Sequence, residues 1–440
     1  MHSINIPQRL SLLTLIILMC VATQAFAKAG DLDTTFANKG IFATSNNLST
    51  ANAVAIQSDG KIVVAGTGVV DTNVFTDMLF RLNTDGRLDS TFGQGGIVNL
   101  QPTSIVFGFF ALAIQSDGKI VASGTGAFNG KQPVMQVARV NTDGSLDSSF
   151  GSGGFTTPIV FPIEGGNLAL QPDGKILVAA GVFNPNGVPS EMARFTASGQ
   201  PDTAFGNGAG VVNLAYQSPT QIAVQADGKI LVASGDPSRL VFQATPAAQP
   251  GAITRYNSNG TVDKSFGSAG TTASLASASA LVLQSDGKIV VAGSLTSKVN
   301  SAPSSNDVGF GVARFNSKGV LDRSFGAAGV ATVDFGVNTP VSGAFALAIQ
   351  SNGDLVAGGA ATGPSGNFIV SSFGLTRITS AGKIDTTFGK NGRVVTTVAS
   401  GQYSWINSLA IQSDGKIVAA GTSQFSNSND NAYVARYLAQ

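Results

Sequence analysis

The chain has 440 residues, 43% of them hydrophobic and only 12% charged, with 54 glycines and a formal net charge of +1. That balance excludes a nucleic-acid binder or a polybasic membrane binder, both of which need a basic excess. Abundant glycine with little charge suits many short strands joined by tight turns, against helical bundles or disorder.

Residues 1–27 read as a secretory leader. Arg9 supplies a basic start, and Leu10–Ala22 is an apolar run too short for a comfortable bilayer span. Ala25-Phe26-Ala27 has the small-x-small form of a cleavage site. Met19 precedes Cys20 where a lipid-modified cysteine wants a small residue. No later run is long and apolar enough to span a bilayer, so no integral membrane segment is expected after cleavage. His2 and Cys20 are the only histidine and cysteine, so residues 28–440 hold neither. Disulfides, Ser-His-Asp and Cys-His catalysis and zinc ligation are thereby excluded. The expected product is exported, periplasmic or extracellular.

The chain after the leader opens on Gly30–Phe36 (GDLDTTF), the tail of a unit with no head. A hairpin pattern follows: an apolar run ending in Gln, an S-D-G-K turn, and a second apolar run ending in Ala or Ser and Gly. Ala111–Gly124 (ALAIQSDGKIVASG) is typical. The pattern is centred on Asp59, Asp117, Asp173, Asp227, Asp286, Asn352 and Asp414, at intervals of 54 to 66 residues. Glycine in the turn tolerates positive φ, which a tight hairpin requires.

After each hairpin comes a variable loop, then a run alternating in period two, such as Met135–Asn141. An N-T-D-G turn leads into Ser145–Gly151 (SLDSSFG), read as a fourth strand; a short run such as Gly96–Leu100 then leads to the next hairpin. Four short strands per unit is the arithmetic of a propeller blade. The chain stops on Ala435–Gln440, a head with no tail, which complements Gly30–Phe36. The expected fold is all-β: residues 28–440 as one seven-bladed β-propeller, closed by the N-terminal strand joining the C-terminal blade.

A second regularity crosses the turn. Arg81, Arg139, Arg194, Arg255, Arg314 and Arg377 each precede an aspartate by eight residues: Asp89, Asp147, Asp202, Asp263, Asp322 and Asp385. Arg436 and Asp33 are the seventh pair if the ends meet. A Phe follows each aspartate by three: Phe36, Phe92, Phe150, Phe205, Phe266, Phe325 and Phe388. The fixed gap predicts an ion pair in each blade, with the phenylalanine filling the space between blades.

These residues resemble the delta-60 repeat family, bacterial propeller-like repeats of the form LDxxFGxxG…AIQxDGKIVVAG…ARYNxDGxLD, from about Gly30 to Tyr437. The resemblance implies a β-propeller on secreted or surface proteins and implies no activity. Copies depart locally, with Asn352-Gly353-Asp354-Leu355 in the sixth hairpin and Pro201-Asp202 for the fourth Leu-Asp.

Little in the sequence points to chemistry. Asn83–Asp89 and Asn141–Asp147 look like a loop of calcium ligands. The position of Asp85 is however Ser198, Asn259, Lys318 and Ala381 elsewhere, and a lysine there does not ligate a metal. These residues read as turn caps, and no metal or cofactor is expected.

Function is expected where the repeats disagree. One such place is the loop between the second and third strands, longest at Asp236–Gly251, Ser294–Gly309 and Ala360–Ser372. The other is the entry to the innermost strand, seven residues before the repeated Gln: Thr50, Gly108, Glu164, Ser218, Ser277, Gly343 and Trp405. Here stand the only Trp and one of two Glu, with Phe109, Tyr216 and Tyr403 nearby. Aromatic surface beside a carboxylate suits a sugar or small cation, against a bland reading in which Trp405 plugs a gap between blades and Glu164 is solvated. The partner would be an unknown protein, peptide or glycan. The alternatives are a lyase or hydrolase using carboxylates at the channel mouth, and a purely structural surface protein.

Overall fold

The S-D-G-K turns fold by local chemistry. In the second, the Asp117 carboxylate accepts the Lys119 N–H at 3.1 Å and the Gly118 N–H reaches the Gln115 carbonyl at 2.9 Å. Gly118 has φ +83°, a left-handed conformation that glycine adopts without strain. The apolar runs on either side pair antiparallel, Ile114 opposite Ile120.

The computed structural model describes residues 27–44, 49–71, 74–100, 108–128, 132–156, 164–181, 189–216, 218–235, 251–275, 277–296, 307–335, 341–365, 368–399, 402–424 and 430–440. Among them the regular elements are all strands, and no helix is long and apolar enough to cross a membrane. We number the units by their hairpins. Unit 1 runs antiparallel from an inner strand, Ala53–Ile56, through Ile62–Asp71 and Val74–Leu82 to an outer strand, Ile97–Leu100. Units 3 and 4 are likewise four-stranded. In unit 2 the outer position is only a bridge, Phe155 to Ala138. Units 5 to 7 share one twelve-stranded sheet. They are joined where Asp307 and Val308 pair in parallel with Val341 and Ser342, and Ser371 with Tyr403.

The outer strand corrects one expectation. The L-D-x-x-F-G segment is not the fourth strand. Its Leu146 makes a single bridge to Val140, and Asp147 to Phe150 is a turn, the Phe150 N–H on the Asp147 carbonyl at 3.0 Å. A side chain that caps its own turn competes with extended backbone. The fourth strand is the later short run: Ile97–Leu100 pairs with the third strand of its own unit, Phe80 opposite Ile97.

Near the chain ends the same elements come from distant segments. Ile41–Ala43 pairs as outer strand with Asn431–Tyr437, Ile41 opposite Ala435 and Ala43 opposite Tyr433. Leu32 bridges Tyr437, as Leu146 bridges Val140.

The apolar core lies between units, in layers. Phe92 joins Val63 and Leu79 of unit 1 to Ile120 and Ala122 of unit 2. Phe36 joins Val418 and Val434 of unit 7 to Ile62 and Val64 of unit 1. All seven repeated phenylalanines are fully buried. Each such ring contributes a large share of the interface it fills.

Candidate functional site

The two ends of the strands differ. One end carries the S-D-G-K and N-T-D-G turns, hereafter the turn face. The other carries the variable loops and the entries to the inner strands, the loop face.

On the turn face the repeated polar residues form one network per unit. Each arginine donates through Nε or Nη2 to an aspartate Oδ2: Arg81–Asp89, Arg139–Asp147, Arg194–Asp202, Arg255–Asp263, Arg314–Asp322, Arg377–Asp385 and Arg436–Asp33, at 2.6 to 2.9 Å. Each guanidinium also lies 4.4 to 4.9 Å from the centroid of its unit's phenylalanine. Stacking of this kind contributes about 0.5–2 kcal/mol.

The hairpin lysine completes the group. Lys61 lies 3.1 Å from Asp89, Lys119 2.8 Å from Asp147 and Lys229 3.2 Å from Asp263. Lys288 instead pairs with Asp286 of its own turn, and unit 6 has Asp354 in place of the lysine.

Nη1 carries the network across units. Arg81 donates to Thr142 O of unit 2 at 2.5 Å, Arg139 to Ala197 O of unit 3 at 2.7 Å, and Arg194 to Ser258 O of unit 4. Arg255, Arg314 and Arg377 reach Ser317, Ser380 and Ala439 of the following units, each at 2.6 Å, and Arg436 reaches Thr84 O of unit 1 at 2.5 Å. The turn that accepts the bond leaves no room for a side chain. Gly144 has φ +88°, and an added Cβ would lie 2.7 Å from Gly93 N.

Burial pushes the Asp89 carboxyl upward, but the Thr91 hydroxyl, Lys61, the Thr91 N–H and Arg81 together hold it well below the usual carboxylate range. Asp147 behaves alike, with Lys119 and Ser149 opposing burial. Asp263 is held down first by the Ser265 hydroxyl. These residues are buried, charged and fully engaged with one another, as a scaffold requires.

The loop face follows no such pattern. Two of the long variable loops fall largely on residues 236–250 and 297–306, outside the described residues. The third expectation is corrected: Ala360–Ser372 is mostly not a loop, because Leu355–Ser365 and Phe368–Ile378 stay paired as strands up to Ser365 opposite Phe368. Around the inner-strand entry two of the expected aromatic rings, Phe109 and Trp405, are buried. Phe109 is fully buried in the unit 1–2 core beside Ala53, Leu79 and Ile120. Trp405 is 9% exposed, and its Nε1–H donates to Asn407 Oδ1 at 2.9 Å. Asn407 in turn donates to Ala51 O of unit 1 and to Thr422 Oγ1, each at 3.1 Å. Trp405 thus helps fasten unit 7 to unit 1, because a buried indole N–H must find an acceptor. Tyr216 and Tyr403 are half-buried. Glu164 opens the inner strand of unit 3 opposite Gly181, and its side chain lies outside what is described.

Two carboxylic acids at the loop end of third strands escaped the sequence reading. Asp77 is 1% exposed; its Oδ1 has no hydrogen-bond partner, and its carboxyl accepts the Gly108 N–H of unit 2. Burial raises it well above the ordinary aspartate value, against that one N–H. Glu191 is 8% exposed, its Oε2 has no partner, and burial pushes it up to about 7. A signal existed for Asp77. Four residues before the repeated arginine the other units carry Met135, Ser190, Gly251, Phe310, Phe373 and Ala432, none of them charged.

Layered four-stranded units and a repeated turn-face network define a β-propeller repeat protein. Residues 57–92, 115–150, 171–205, 284–325 and 412–440 match the family described as a β-propeller domain of unknown function, DUF5122. No curated protein matches the chain. Among solved structures, a protein of unknown function from Dyadobacter fermentans is 11% identical, with a TM-score of 0.42, over 91% of this chain and 100% of its own. A PL25 ulvan lyase bound to -[GlcA(1-4)Rha3S]- is 12% identical, with a TM-score of 0.48, over 94% of each chain. The extracellular domains 1–2 of Drosophila semaphorin 1b are 11% identical, with a TM-score of 0.42, over 93% of this chain and 87% of theirs.

Proposed function

We propose that residues 28–440 form a seven-bladed ring of delta-60-type repeats, exported behind the leader at residues 1–27, that serves as a rigid binding or scaffold module. The ring reading is supported by the succession of Nη1 bonds, each arginine to the next unit and Arg436 back to Thr84 of unit 1. The binding reading rests on one observation: the turn face repeats its ion pair in every unit, while the loop face differs from unit to unit in length and composition. A partner that reads one side of a ring needs a constant frame and variable contacts.

The partner is a protein, peptide or glycan. Replacing 236–250, 297–306 and 366–367 with short glycine-serine linkers should abolish capture on a glycan array or a peptide display library while leaving thermal stability in place. Retained capture by the linker-replaced protein would refute the reading.

An enzyme remains the second reading, because Glu191 is a carboxyl poised near 7 with no ion partner among the described residues. A general acid wants that value near neutral pH. Hydrolase or lyase turnover that disappears in Glu191→Gln would favour it.

A further inference from the structure

One unit lacks the hydroxyl of the turn-face network. Two residues after the aspartate, six units carry a hydroxyl: Thr35, Thr91, Ser149, Ser265, Ser324 and Thr387. Each donates to the aspartate Oδ1 at 2.6 or 2.7 Å. Four of the six also accept an arginine Nη2–H at 3.3 to 3.5 Å. Unit 3 has Ala204 at this position. There Asp202 Oδ1 receives only the Ala204 N–H, at 3.1 Å.

A cleft of about 410 Å³ opens at this position, between units 3 and 4, lined by Gln171, Lys175, Arg194, Ala204, Ser258 and Asn259 among others. Its volume is within the range of small-molecule sites. Gln171 Oε1 is buried there without a partner. Other repeats share an unpartnered glutamine oxygen, but unit 3 alone combines it with the missing hydroxyl.

Charge selects the class of ligand. Lys175 lies 3.3 Å from Asp173 in the cleft lining and 3.4 Å from Asp202, which also pairs with Arg194 of the lining, so cations and carboxylates are matched at the cleft. An anion would face the two aspartates and a cation would face Lys175 and Arg194. A neutral group that both donates and accepts suits it best, and the repeats themselves specify which: a hydroxyl that donates to the aspartate and accepts from the arginine.

We propose that the unit 3–4 cleft binds a neutral carbohydrate, one of whose hydroxyls takes the place of the serine or threonine hydroxyl missing at Ala204. A second hydroxyl donates to Gln171 Oε1. The site lies on the turn face, opposite the variable loops, and so is independent of the function proposed for them.

The test uses the full chain after the leader. Methyl glycosides of glucose, galactose and mannose, with glycerol and inorganic phosphate as comparators, are titrated by saturation-transfer NMR at millimolar concentration. At least one glycoside should bind. Ala204→Ser restores the side chain other units carry, so it preserves the fold, and it should weaken binding at least tenfold. Ser149→Ala opens the equivalent position in unit 2 and should add a second site. The proposal is overturned if no glycoside binds, if Ala204→Ser leaves binding unchanged, or if phosphate binds more tightly than every glycoside.

Discussion

The turn face and the loop face handle buried charge in opposite ways. On the turn face every buried aspartate meets an arginine, most also meet a lysine, and all but Asp202 meet a hydroxyl. On the loop face Asp77 and Glu191 are buried as deeply and have no cation partner among the described residues. Removing one partner of a buried pair is costly, whereas an uncompensated buried acid protonates instead. The same residue type therefore fastens one face and loosens the other.

The largest effect should come from breaking the turn face. Arg81→Ala leaves Asp89 buried with Lys61 as its one remaining cation, uncovers the Phe92 ring and removes the bond to Thr142. Urea unfolding should show a loss of ~3–5 kcal/mol.

Next comes the response to pH, where the faces should oppose each other. Glu191 is raised in the folded protein, so the unfolded chain releases its proton first. Its penalty is absent below the ordinary glutamate value of 4.5, grows as pH rises, and is complete above about 7. It should amount to ~3 kcal/mol at most. Asp77, also raised, adds in the same direction. The turn-face aspartates are lowered, so their contribution is complete above the ordinary aspartate value near 4 and is lost as pH falls below it. Thermal melts of Glu191→Gln and Asp77→Asn should be more stable than the parent at pH 7.5 and no more stable at pH 4. A parent whose stability is flat from pH 4.5 to 7.5 would contradict this account.

A smaller effect is expected at the seam between units 7 and 1. Trp405→Phe removes the N–H that Asn407 accepts and should cost ~1 kcal/mol in a chemical melt. The smallest effect is reserved for the variable insertions. Shortening 236–250 should shift stability by less than ~0.5 kcal/mol, the size usual for changes that remove no buried contact.

Much of the fold was legible in the sequence because hairpin and turn chemistry is local. Gln115–Lys119 folds on its own hydrogen bonds, and the eight-residue gap from Arg139 to Asp147 spans one turn. The outer strand was misassigned because its three or four residues carry almost no pattern, while the stronger L-D-x-x-F motif beside it is a capped turn. The loop-face site was hardly legible. Rarity drew attention to Trp405, and nearness in sequence to Phe109, yet neither reports burial, and both rings are spent on joining units. Asp77 and Glu191 matter because of what is absent around them, and sequence spacing does not carry absence. The links from each arginine to the next unit were missed too, since six of their acceptors are backbone carbonyls 58 to 66 residues away and the acceptor of Arg436 is 352 away.

The pairing of Ile41–Ala43 with Tyr433–Ala435 bears on how the molecule is made. Asp33 and Arg436 stand 403 positions apart. Joining them in a structureless chain would cost ~5 kcal/mol of loop-closure entropy before any contact rewards it. Once the intervening units have stacked, that cost largely vanishes, because the two segments are already neighbours. The seam should therefore be the last part to form and the first to open, and the lifetime of the folded state should be set there. In a kinetic experiment, substitutions at Asp33 or Arg436 should speed unfolding and leave the refolding rate nearly unchanged.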